Sequence, residues 1–99
     1  MLMDDLPELF SLAMPDDAMA PRIAKGTVLI FGRGHAPSPG DGVLVKDRDG
    51  RMHVRRYRQG RGGTWEAQAI NEAAFSMLDS ERDGLIVIAV LKGMMSGRL

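Results

Sequence analysis

Short apolar runs of strand length alternate with clusters of turn residues along this chain. Residues 27–31 form an almost wholly apolar run between Gly26 and Gly32, a pattern typical of a buried strand. No segment carries a long 3.6-residue period. The pattern therefore predicts an all-β fold with at most a short helix. The predicted strands are residues 9–14, 27–31, 43–46, 51–59, 64–70 and 85–92, and residues 71–79 fit either a loop or a short helix.

The clearest local signal is a β-hairpin. Residues 43–46 lead into the sequence Asp-Arg-Asp-Gly at 47–50, which is typical of a tight turn, and residues 51–59 return. The return strand alternates, so Arg55 is expected on one face with His53 and Tyr57.

Composition limits the functional classes. The chain has 99 residues, enough for one modest core, and we treat residues 1–99 as a single domain. Thirteen basic and thirteen acidic side chains give zero formal charge, which argues against a domain that binds DNA by itself. The absence of cysteine excludes disulfides and thiolate metal sites, and the two histidines are too few for a zinc site. We expect no metal and no cofactor.

The sequence also indicates the cellular compartment. The longest apolar run, residues 85–91, is far too short to cross a membrane, and the acidic start does not resemble a signal peptide. We expect a cytoplasmic protein without a membrane partner.

One segment carries a family resemblance. The sequence DDAMAPRI at residues 16–23, followed by Lys25, Gly26 and an apolar run, resembles the serine region of LexA-type repressor C-terminal domains and their signal-peptidase relatives. Met19, Pro21 and Ile23 keep the frame of that motif, and Ala18 occupies the position of its serine. Thr27 departs from the family, which often has aspartate there.

The resemblance extends over most of the chain. GDGVLV at residues 40–45 is similar to the family's second glycine–aspartate strand entry, and MHVRRY at 52–57 resembles the strand that carries its lysine. Arg55 stands at the lysine position, 37 residues after Ala18, which fits the family interval. The resemblance implies short, strongly bent strands and a closing strand, residues 85–93, used in dimer contacts.

Neither substituted position supports the chemistry of the family. A serine hydroxyl attacks a peptide carbonyl while a neutral lysine removes its proton. Alanine at position 18 has no nucleophilic atom, and an arginine pKa above about 12 excludes Arg55 as a base. Residues 1–17 also lack glycine, and hence an Ala-Gly cleavage site. We therefore predict that the chain is not an enzyme.

The resemblance also implies particular site and interface residues. Arg55 either lies on a solvated edge strand or fills the old cleft, paired with Asp16 or Asp17. The expected cleft-lining residues are Asp17, Met19, Pro21 and His53. The expected dimer interface consists of Leu85, Val87, Ala89, Leu91 and Met94, with the tail through Leu99.

The function implied is a non-catalytic oligomerisation and regulatory domain of a phage or prophage-type repressor. We expect a homodimer or higher oligomer, an antirepressor protein as the releasing partner, and DNA contact only through an N-terminal helix-turn-helix absent from this chain. Residues 1–9 are expected to be flexible. Two alternatives stay open: a self-cleaving peptidase inactivated by engineering, and a β module that binds nucleic acid through the arginines of residues 48–61, with Tyr57 as a stacking group.

Overall fold

The apolar runs form one antiparallel sheet of seven strands. The computed structural model describes residues 7–95, and within that range it contains no helix, which confirms the all-β prediction. The strands are β1 (Leu9–Ala13), β2 (Val28–Gly32), β3 (Gly42–Lys46), β4 (Met52–Gln59), β5 (Trp65–Gln68), β6 (Leu78–Asp79) and β7 (Ile86–Met95).

The strand order is β1-β2-β7-β3-β4-β5-β6, so the last long strand lies inside the sheet between β2 and β3. Two register shifts bend β7. Ile30 pairs with Gly93 but Phe31 with Leu91, and a second shift falls between Leu44 and Val45 of β3. An extra residue on one strand bends it locally, so each of these bulges bends β7 at that point.

Two apolar clusters cover the sheet. The larger contains Phe31, Leu44 and Val54 together with Ala18 and Met19 from the β1–β2 connection. The smaller is formed by Val43, Val45, Ala67, Leu85 and Val90, with Tyr57 and Trp65 packed against it. Since Val43 and Leu44 are neighbours on β3, the two clusters lie on opposite faces of this strand.

Several predicted boundaries differ from the structure. The β7 strand continues to Met95 rather than ending at Lys92, because its last residues pair with Val28 and Leu29. The ambiguous segment 71–79 forms turns and the short strand β6.

Of residues 1–9, which were expected to be flexible, the described ones lie immediately before and at the start of strand β1. Leu9 pairs with Gly32 in the sheet, and the Glu8 carbonyl accepts a hydrogen bond of 2.8 Å from the Arg33 amide. Residues 1–6 and the tail residues 96–99, including Leu99, lie outside the described range.

Candidate functional site

The candidate site begins in the loop between β1 and β2. Two backbone hydrogen bonds close this loop at its base, from the Met14 amide to the Thr27 carbonyl (2.8 Å) and from the Gly26 amide to the Met14 carbonyl (2.9 Å). Gly26 has a φ of 91°, a conformation that glycine adopts without steric cost. The peptide bond before Pro21 is cis.

The closed loop buries its apolar side chains. Ala18, Met19 and Ile23 all belong to the larger core cluster, and the Ile23 amide donates to the Met19 carbonyl at 2.9 Å. Ala18 is 0% exposed. The position aligned with the family serine is therefore part of the core.

Asp16 links the two positions that the resemblance singled out. Its Oδ1 accepts a hydrogen bond of 3.0 Å from the Ala18 amide. Its Oδ2 lies 3.5 Å from Nη1 of Arg55. A single carboxylate thus bridges the backbone of residue 18 and the guanidinium of residue 55, and it is Asp16 rather than Asp17 that pairs with Arg55.

Arg55 is buried on an interior strand. It lies opposite Val43 on β4, which has β3 on one side and β5 on the other, and only 4% of the residue is exposed. The interpretation of a solvated edge strand is therefore wrong. Arg55 Nη1 donates to the Val54 carbonyl at 2.8 Å, and the guanidinium carbon lies 5.3 Å from the centre of the Phe75 ring, a cation–π contact.

The electrostatics of this arginine are only partly balanced. Burial lowers the pKa of Arg55 below its ordinary value, and the nearby Asp16 carboxylate opposes that shift. The Nε atom is buried without a hydrogen-bond partner among the described residues. Because an arginine pKa starts above about 12, the side chain stays charged and cannot accept a proton.

The segment after β5 covers the site from the other side. The Asn71 amide donates to the Ala18 carbonyl at 2.8 Å, and Asn71 Nδ2 donates to the Asp17 carbonyl at 3.3 Å. Phe75 comes from the same segment. Sequence reasoning missed both residues, because residues 71–79 carry no clear periodic pattern.

The expected cleft-lining residues differ in their surroundings. Met19 belongs to the core cluster and also lines a surface cavity, whereas Asp17 and Pro21 are exposed. His53 binds the Oδ2 atom of Asp47 through Nε2 at 2.9 Å and belongs to the β3–β4 hairpin. His53 is therefore engaged in the hairpin rather than in the Asp16–Arg55 site.

The expected interface residues also need correction. Leu85 and Ala89 are 8% and 2% exposed and belong to the two core clusters, so their side chains are not available to a partner. Val87 packs against the smaller cluster. Leu91 and Met94 line a surface cavity, and Met94 is 51% exposed. The excess of apolar residues in β7 arises because both faces of this interior strand contact core residues.

The arginines of residues 48–61 do not form one continuous basic surface. Arg48 donates to the carbonyls of Arg82 (3.0 Å) and Glu81 (3.2 Å), and Arg55 is buried. The Tyr57 ring stacks on Trp65, with centroids 5.2 Å apart. Arg48 is thus engaged with backbone carbonyls, and the Tyr57 ring is engaged with Trp65.

Comparison with known proteins identifies the family of this chain. A family model described as Peptidase S24-like matches residues 2–94. A search of curated proteins gave no significant match. In the part of the chain that the structure describes, no helix is long and apolar enough to cross a membrane. The match covers almost the whole chain and agrees with the all-β sheet, so the chain belongs to the Peptidase S24-like family, the type found in the C-terminal domains of LexA and phage repressors.

Proposed function

We propose that this chain is a non-catalytic, dimerising regulatory domain of a phage or prophage-type transcriptional repressor. DNA contact belongs in this proposal to a separate N-terminal helix-turn-helix domain. Two linked DNA-binding domains gain a high effective concentration at paired half-sites, which gives a dimerising domain its regulatory role.

The observation that carries the proposal is the Ala18–Asp16–Arg55 arrangement. Ala18 offers no nucleophile and is 0% exposed, so a peptide carbonyl has no access to this position. Arg55 offers no base, and its guanidinium carries a positive charge opposite Asp16. Nucleophile, base and access are thus all lacking at one site.

Restoring the family residues tests the loss of catalysis. The variants Ala18→Ser, Arg55→Lys and the double variant are made in the full repressor chain, and intact mass is followed between pH 7 and pH 10. We expect no cleavage from Ala18→Ser alone, and Ala36→Ser on an exposed loop serves as the control. Cleavage after the single change Ala18→Ser would show that Arg55 does not occupy the position of the base.

The proposed dimer surface lies at the β1 end of the sheet. The register aligns Ala13 with Val28 and Val28 with Met95, and it aligns Ser11 with Ile30 and Ile30 with Gly93. Cross-strand partners share a face, and Leu9 lies on the same face of β1. We call these seven residues the uncharged face: Leu9, Ser11, Ala13, Val28, Ile30, Gly93 and Met95.

A second copy of the chain fits this face. Leu9 and Met95 are 62% and 55% exposed. None of the seven residues is charged, although 26% of the chain is. Contiguous exposed apolar surface marks an interaction site, and an uncharged surface can bind its own copy about a two-fold axis.

Release from DNA requires a second partner. A repressor domain that cannot cleave its own chain has to be released by a binding event, and an antirepressor protein is the proposed binding partner. Such a protein shifts the repressor toward the released state only if it binds that state more tightly.

A further inference from the structure

A groove runs beside Met19 on the side of the sheet that carries the larger core cluster. It consists of two adjoining cavities of about 260 Å³ and about 560 Å³, which share Gly40 and Arg56. The smaller cavity is lined mainly by aliphatic side chains: Met19, Ile23, Ile70, Leu91 and Met94. The larger is lined by Pro39, Arg58, Gln59 and Gln68 in addition to the shared residues. The groove is thus apolar at one end and polar at the other.

All the charged side chains that line the groove are positive. Arg22, Arg56 and Arg58 line it, and no carboxylate lines either cavity. Arg22 and Arg56 form no side-chain hydrogen bond or ion pair with any described residue. A chain of zero net charge therefore presents three cations along one concave surface, two of them uncompensated.

The position of the arginines sets the spacing of a ligand. Arg56 and Arg58 are two residues apart on β4 and thus point to the same side, about 7 Å apart along the strand. Arg58 Nη1 donates to Gln68 Oε1 at 3.1 Å, and Gln68 Nε2 donates in turn to Glu72. Arg58 is therefore held in place, whereas Arg56 is free to meet a ligand at the junction of the two cavities.

We infer that this groove binds an extended acidic segment of a partner protein. An aliphatic side chain of the segment fills the smaller cavity, and carboxylates at alternate positions meet Arg56 and Arg58. An extended chain repeats every second side chain at about 7 Å, which matches the spacing of the two arginines. The inference deepens the proposed function, on which it rests, because it assigns a chemistry to the partner that releases the repressor.

The lining favours a protein segment over single-stranded nucleic acid. Nucleic-acid grooves combine cations with aromatic platforms on which bases stack. No aromatic side chain lines either cavity, and the nearby Tyr57 and Trp65 rings stack on each other. Aliphatic side chains and guanidinium groups instead suit a peptide with both aliphatic and carboxylate groups.

The experiment selects peptides from a random display library against the full chain. We expect enrichment of an aliphatic residue followed by Asp or Glu at two alternate positions. The affinity of a selected synthetic peptide should fall about tenfold or more in Arg56→Glu/Arg58→Glu, because charge reversal replaces attraction by repulsion. The control Arg51→Glu/Arg61→Glu changes the charge equally at exposed positions outside the groove and should bind like the parent.

Three results overturn the inference: no acidic enrichment, equal loss of affinity in the control, or displacement of the peptide by a single-stranded oligonucleotide. None of these results concerns the Ala18–Asp16–Arg55 arrangement or the proposed dimer, so the proposed function survives them. Cleavage of the selected peptide by the chain has the opposite meaning, since it contradicts the proposed function while leaving the groove as a peptide site.

Discussion

At the scale of single residues, Asp16 explains more about the site than the two substituted positions do. Its carboxylate caps the Ala18 amide at 3.0 Å and lies 3.5 Å from Arg55. A catalytic lysine must lose its proton, and a carboxylate at that distance stabilises the protonated form. Under the proposed function, Asp16 would therefore oppose catalysis even if serine and lysine were restored at positions 18 and 55.

The effect of Asp16 on a lysine can be measured. In Ala18→Ser/Arg55→Lys we expect the introduced lysine to stay charged, and adding Asp16→Asn should lower its pKa because the neighbouring negative charge is gone. The measurement is NMR titration of the labelled lysine side chain in both variants. An identical pKa in the two variants contradicts the assigned role of Asp16.

The Asp16–Arg55 pair also predicts unequal losses of stability. Asp16→Ala leaves the buried Arg55 unpaired and removes the cap of the Ala18 amide, so the free energy of unfolding should fall by about 1–3 kcal/mol. Part of the Asp16 side chain, 29%, is exposed, which keeps the loss below that of a fully buried pair.

Arg55→Met should change the same quantity by less than about 1 kcal/mol, because an apolar side chain of similar length replaces an incompletely bonded cation. Urea unfolding measures each variant, with the exposed Asp17→Ala as the control. A larger loss in Arg55→Met than in Asp16→Ala contradicts this account.

At the scale of elements, the β3–β4 hairpin depends on one carboxylate. Asp47 Oδ1 accepts hydrogen bonds from the amides of Asp49 (2.9 Å) and Arg51 (3.0 Å), and Oδ2 binds His53. The hydrogen bond with His53 is the main reason that the pKa of Asp47 lies below its ordinary value of 3.8. This carboxylate therefore favours the folded hairpin only while it is ionised.

The sign of the pH dependence follows from that shift. A carboxyl group with a lowered pKa in the folded state contributes its full stabilisation above the ordinary pKa and loses it as the pH falls through the lowered value. We expect the urea midpoint of the parent chain to fall more steeply between pH 5 and pH 2 than that of Asp47→Asn.

Asp49→Asn on the same turn is the control, since the Asp49 carboxylate makes no hydrogen bond or ion pair with a described residue. If the urea midpoint of Asp47→Asn falls with pH as steeply as that of the parent chain, the stabilising role assigned to the Asp47 carboxylate is contradicted.

Some strands could be predicted from the sequence and others could not. Strands with local signals, such as residues 43–46 before an Asp-Gly turn, were placed correctly to within a residue. The C-terminal extension of β7 could not be foreseen, because Met94 and Met95 become strand residues only through pairing with β2. The short strand β6 likewise depends on pairing with β5.

The candidate site, like the strands, could be predicted from the sequence only in part. The resemblance singled out residues 18 and 55, and residue chemistry alone excludes Ala18 as a nucleophile. That Arg55 is buried follows only from the position of β4 inside the sheet. The groove was missed because residues 19, 40, 56, 70 and 91 are distant in sequence and converge only in the fold.

At the scale of the whole molecule, the uncharged face predicts a dimer that a single charge disrupts. Ser11→Lys places a cation on β1, at one side of that face, and Met95→Lys places one on β7, at its other side, so both should shift the sedimentation profile toward the monomer. Ile86→Lys is the matched control, because Ile86 is 56% exposed and pairs with Lys46, outside the proposed interface.

Analytical ultracentrifugation over a range of concentrations measures whether the parent chain and each variant form a dimer. A parent chain that stays monomeric at high concentration contradicts the proposed dimer. A dimer that Ile86→Lys disrupts and Ser11→Lys leaves intact moves the interface to another surface.

The central claim is that this Peptidase S24-like chain has no peptidase activity, and direct profiling tests it. The full chain is incubated with a proteome-derived peptide mixture between pH 6 and pH 10, and new peptide termini are identified by mass spectrometry. The Ala18–Asp16–Arg55 arrangement predicts no termini beyond those of the blank. New termini that form with the parent chain and disappear with Arg55→Met would contradict it.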